Sequence, residues 1–189
     1  MLTRLGKLSL VGMSAAYLLL VGLNNTLFDH PTNYVFVEAV LSMDAPKPFA
    51  EPAFERLEWR AIEADWALRA VYWLIIAWEL AAGTLCAWGC WSLWSARQET
   101  AEAFQRAKAP AIAGLTLALL LWGGAFLVVG GEWFSMWASA FNGQAAATRL
   151  FTVMGITLLF LNQPDPELPL PKPSALIADQ KKLTADKNT

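Results

Sequence analysis

Four long apolar runs alternate with polar, proline-marked links along this chain of 189 residues. A bilayer's hydrocarbon core of about 30 Å takes ~20 helical residues at about 1.5 Å per residue. The runs therefore predict spans at about 8–28, 66–94, 110–130 and 145–161. The first is uncharged from Leu8 to Leu23, and no small-x-small cleavage pattern follows it, so it reads as an uncleaved span. The outer loops fall at 29–65 and 131–144. Within the first, Pro31–Met43 predicts a short helix, with proline in the first turn and Tyr34, Val37, Val40 and Leu41 at helical spacing. A second short helix is expected from about Pro52 to Ala64, giving the bundle a helical outer cap. Beyond 161, the proline-rich segment 162–189 favours extended, disordered chain over a folded domain. The fold class is an all-α membrane protein: a four-span bundle with a short-helix cap and a disordered C-terminal tail.

Charge decides the orientation. Lys and Arg concentrate in the N-terminal segment, in Ser95–Lys108 and in the tail, whereas the first outer loop is net acidic. By the positive-inside rule both termini lie in the cytoplasm of a bacterial-type inner membrane. The formal net charge of -2 gives no support for nucleic-acid binding. Both cysteines sit inside the second span, four residues apart, which points their sulfurs poorly for a bridge and argues for reduced, packed side chains. Two thiols and one histidine, His30, assemble neither a metal site nor a bis-histidine haem site, so no metal and no cofactor is expected.

The sharpest chemistry lies in the second span. Tyr72, Glu79, Gly83, Cys86 and Cys90 share one helical seam that should face protein. A charged carboxylate within the membrane costs several kcal/mol. Glu79 is thus either a hydrogen-bonded joint to Tyr72 or a facing helix, or the centre of a proton or ligand path. In the second outer loop Trp133, Phe134, Met136, Trp137 and Phe141 form an aromatic turn with Asn142 and Gln144. An interfacial belt is its ordinary reading, and a docking patch for a membrane subunit or a quinone-like ligand is the competing one. Glu132 and Arg149 flank this turn and are expected to pair. Asp44, Arg60 and Arg69 complete the outer cap, with Arg69 near the interface.

Asn33–Asp44 (NYVFVEAVLSMD) and Gly130–Gln144 (GGEWFSMWASAFNGQ), followed by Arg149, resemble the predicted small integral membrane proteins of the domain of unknown function 2165 family. The resemblance runs roughly from Leu8 to Leu161, and Trp59-Arg60-Ala61-Ile62 and Glu79 fit it too. Ala39 stands where many relatives have a histidine, and Phe141 where a tryptophan is usual. The family implies four spans and no activity.

No nucleophile–base pairing and no phosphate-binding glycine loop is present, which argues against an enzyme. The leading expectation is a non-catalytic accessory protein of an inner-membrane assembly. Its partners would be the lipid bilayer and either another membrane protein or a second copy of the chain. The alternative is a small transport or proton-coupled binding protein centred on Glu79.

Overall fold

The computed structural model describes residues 1–27, 30–44 and 56–168, with the backbone alone at 30–32. Its elements are α1 (Leu2–Leu27), α2 (His30–Leu41), a 3-10 turn (Glu58–Arg60) and α3 (Asp65–Ser95). There follow α4 (Ala101–Arg106), α5 (Ala109–Leu119), a π-wound continuation of α5 (Leu120–Trp133), a 3-10 turn (Met136–Ala138) and α6 (Gln144–Asn162). Four helical stretches are long and apolar enough to cross a membrane: Leu2–Leu27, Asp65–Ser95, Ala101–Trp133 and Gln144–Asn162. No strand occurs among the described residues.

Local chemistry sets several boundaries. The Thr100 hydroxyl accepts from the Ala103 backbone N–H at 3.2 Å and caps α4. Pro110 occupies the first turn of α5, where its missing N–H is no loss. Asn142 Oδ1 accepts from the Gln144 N–H at 3.0 Å and opens α6. At the end of α2 the chain turns through Met43 with a left-handed φ of 58°.

Helix α3 is the hub, packed on α1 along one side and α5 along the other. Small residues permit these crossings. A Cβ on Gly89 would collide with the Ala111 backbone, and one on Gly114 would lie 2.8 Å from the Ala82 carbonyl oxygen. The main core joins Val11, Leu18, Ala82, Cys86, Leu115 and Met154. A second core, under the cap, joins Tyr34, Val40, Leu68, Tyr72, Phe134 and Met136. The two ends of the bundle differ accordingly: one bears α2 and the aromatic turn, the other bears the N-terminus and residues 163–168.

Three sequence expectations need correction. The first span begins at Leu2, so Arg4 and Lys7 belong to the helix and are each 1% exposed. The third span, too, is longer than 110–130, because its winding continues to Trp133. Of the helix expected over Pro52–Ala64, only the turn Glu58–Arg60 forms, and 61–64 are non-helical; residues 52–55 lie outside the described residues. The physical reason for that turn's brevity is tertiary. The Ile62 N–H donates to the Leu41 carbonyl at 2.9 Å, so the chain is tied to the end of α2 instead of bonding within a helix. The tail beyond 168 also lies outside the described residues.

Candidate functional site

Midway along α3, Glu79 is buried to 1% exposure on the face that also carries Tyr72, Gly83 and Cys86. Its hydrogen-bond partner is on α1: Asn25 Nδ2 donates to Glu79 Oε2 at 3.2 Å. Asn25 Oδ1 in turn accepts from Asn33 Nδ2 at 2.6 Å, so three polar side chains join α3, α1 and α2. The sequence places Asn25 inside the first span without a role; its position two residues from the end of α1 brings it to Glu79. The reason for the joint is one of register. Helix α1 ends at Leu27, and α3 continues fourteen residues beyond Glu79 to Asp65, a stretch of about 21 Å that α2 covers. Tyr72 packs edge-on against Tyr34 of α2, with ring centroids 5.6 Å apart. Toward the other end, Cys86 is buried and Cys90 half-buried, both as free thiols.

The outer charges are arranged differently from the sequence expectation. No ion pair joins Glu132 to Arg149. Arg149 Nε donates to the Ala145 carbonyl of its own helix at 3.2 Å, and both side chains are exposed. Glu132 ends the third membrane-length helix, whereas Arg149 lies inside the fourth and bonds within it. Arg69 pairs with Asp65 one turn away at 3.0 Å. Arg60 is held between two indoles, its guanidinium 5.3 Å from the Trp59 ring and 4.7 Å from the Trp133 ring. Its Nη1 donates to the Trp133 carbonyl at 3.2 Å, and the two indoles meet edge-on at 5.6 Å. Trp59, Trp133 and Trp137 remain exposed. Asp44 is exposed at the end of α2, its N–H donating to Ser42 Oγ at 3.4 Å. His30 begins α2, and its side chain lies outside the described residues.

Two clefts flank α2. One, of about 670 Å³, is lined by Glu38, Asp44, Glu58, Glu63 and Asp65, with Ala39 in its wall and no lysine or arginine among its described lining residues. The other, of about 420 Å³, is wholly apolar and lies between α2, α3 and the π-wound segment. Phe141 closes part of it, meeting Phe36 edge-on with ring centroids 5.0 Å apart. Among the described residues, no group of histidine, cysteine and carboxylate side chains has the arrangement of a metal site.

The opposite end holds a cluster that the sequence reading passed over as flanking charge. Lys7 of α1 and Lys108, at the start of α5, both contact Asp165 Oδ2, at 2.8 and 2.6 Å, with all three side chains inaccessible. Both ammonium groups also donate to the Gln163 carbonyl, and Lys108 donates to Gln105 Oε1 at 2.7 Å. Arg4 donates to the carbonyls of Arg97, Glu99 and Pro166, and its guanidinium lies 4.7 Å from the Phe104 ring centroid. Burial pushes the Asp165 carboxyl up, but hydrogen bonds from Lys108 and Lys7, with their charges, outweigh it and hold the group below its ordinary range. The start of the proline-rich segment is thus clamped to the bundle. Nothing in the local sequence announces this, because 55 positions separate Lys108 from Gln163 and 158 separate Lys7 from Asp165.

Four helices of membrane length and apolar composition, with no strand among the described residues, define an integral membrane protein of the all-α class. A family model described as "Predicted small integral membrane protein (DUF2165)" matches residues 3–164, and the chain belongs to that family. Comparison with curated proteins and with solved structures finds no match.

Proposed function

We propose that this is a non-catalytic accessory protein of a bacterial-type inner membrane, with both termini in the cytoplasm and its cap docking a second membrane protein. The observation that carries the reading is the Trp59–Arg60–Trp133 stack, ordered yet exposed at the cap end. Tryptophan and arginine dominate the energetics of protein interfaces, and a pre-stacked set loses little conformational freedom on docking. Glu38, Asp44, Glu58 and Glu63 lie along the cleft beside α2 and give the cap an acidic character. Charge complementarity then selects a partner that presents a basic segment on the same side of the membrane.

The alternative, transport centred on Glu79, draws support from the Glu79–Asn25–Asn33 chain toward the cap. Two of its three members are amides, which do not titrate, and Glu79 lines neither cleft. This favours the joint over the pathway.

Photocrosslinking from position 137 in intact membranes tests the reading. The expected product is a crosslink to a basic peptide of another membrane protein, lost in the Glu58→Gln/Glu63→Gln variant and absent from a control probe at Ile156. Crosslinks to lipid alone, or ones indifferent to the acidic residues, would refute it.

A further inference from the structure

The apolar cleft exists because of how the third span is wound. Its wall from that span is Leu120, Leu121, Ala125, Phe126, Val129 and Gly130. In an α-helix, at about 100° per residue, these six positions would scatter over most of the circumference. With i→i+5 winding the turn holds roughly 4.4 residues, or about 80° each, and the same six gather within about a third of the circumference. The 14-residue segment Leu120–Trp133 has that winding, and it ends with the Phe134 N–H donating to the Val129 carbonyl at 3.1 Å. Most π-helical segments are single-turn bulges, frequently at functional sites. Several consecutive turns beside a cleft are therefore a specific construction.

The lining identifies the occupant. Opposite the π-wound wall stand Phe36, Val40, Val71 and Leu74, and no lining side chain is charged. The one strong donor, the Trp78 indole N–H, is used up by the Leu117 carbonyl at 2.9 Å. A ligand with hydrogen-bonding groups would leave them unsatisfied there, at a cost of about 1–3 kcal/mol each. Leu74, Leu120 and Val129 are 60%, 54% and 47% exposed, so the cleft opens sideways, where the span faces the bilayer. Met136, Phe141 and Gly143 floor it on the side of the aromatic turn. Its volume falls within the usual range for ligand sites, about 300–1,000 Å³.

From this geometry we infer that the cleft between α2, α3 and the π-wound segment is a binding site for one acyl chain of a membrane phospholipid, entering sideways from the bilayer. The site is independent of the docking stack, which uses Trp59 and Trp133.

The test uses the full chain in vesicles of phosphatidylethanolamine and phosphatidylglycerol containing a trace of phospholipid with a photoactivatable acyl chain. After illumination, adducts are mapped by peptide mass spectrometry. Residues 71–74 and 125–129 should label at least fivefold more heavily than Ile156 and Leu159, which are exposed on α6. Ala125→Phe, which fills the cleft from an exposed position, should abolish that excess and leave α6 labelling unchanged. Val129→Phe serves the same purpose should Ala125→Phe fail to fold. Equal labelling of cleft and α6 would make the occupant ordinary surrounding lipid and overturn the proposal. So would a cleft signal that survives filling, or co-purification of an isoprenoid in place of phospholipid.

Discussion

Asp165→Asn should unlatch the chain at the end opposite the cap. In the folded protein one carboxylate oxygen serves two buried lysines, at 2.8 and 2.6 Å. Removing one partner of a buried ion pair costs about 3–5 kcal/mol, because the other charge is left uncompensated. Asparagine keeps an acceptor, so the lower figure, about 3 kcal/mol, is expected. For a protein of this size, that corresponds to a melting shift of roughly 6–12 °C. Lys7→Met should cost less than Asp165→Asn, because Lys108 keeps the carboxylate and one of two crowded ammonium groups is gone. Combining Lys7→Met with Asp165→Asn should cost less than the sum of the two. In a Cys90→Ala background, Cys86, fully buried, provides the assay: a thiol-reactive fluorophore reports its exposure as the protein melts in mild detergent. The pH profile gives a second arm. Asp165 has a depressed folded pKa, so its contribution is complete above the unfolded value of about 3.9 and is lost as pH falls through the lower folded value. The difference between wild type and Asp165→Asn should hence be flat at neutral pH and shrink only below about pH 4. An Asp165→Asn melting point within 1 °C of wild type, or a larger loss for Lys7→Met, would refute the clamp.

Further outcomes follow from the same geometry. Glu79→Gln keeps an acceptor for Asn25 and should melt near wild type, whereas Glu79→Leu strands the Asn25 amide and should lose about 1–3 kcal/mol in the same assay. Gly89→Ala drives a methyl into the Ala111 backbone and should cost about 1–3 kcal/mol, while Gly124→Ala, with open space around it, should be neutral or slightly stabilising. In a Cys86→Ala/Cys90→Ala background, a cysteine at position 174 should resist an impermeant reagent added outside intact cells; labelling there would reverse the proposed orientation. A Glu132→Gln/Arg149→Met double variant should show additive, small effects, as the two residues form no pair.

Read alone, the chain was enough for its class. Four runs of membrane length leave no other arrangement for the backbone, since hydrocarbon offers no hydrogen-bond partners and helices satisfy their own. The proline at the start of α2 and the alternation of acidic and basic links were legible for the same reason: each is a local property of consecutive residues. Register and winding were not. The segment from Leu120 to Val129 is apolar all round, so no periodicity distinguishes an α from a π turn there, and the cleft stayed invisible. Asn25 meets Glu79 across 54 positions, and Asp165 meets Lys7 across 158, only because α1 packs beside α3 and the chain's last span returns to its starting end. Glu132 and Arg149 are nearer in sequence and opposite in charge, yet Arg149 bonds within its own helix and the two do not pair. Buried groups must find partners wherever the packing puts them, and exposed ones need not; that difference is decided by tertiary structure.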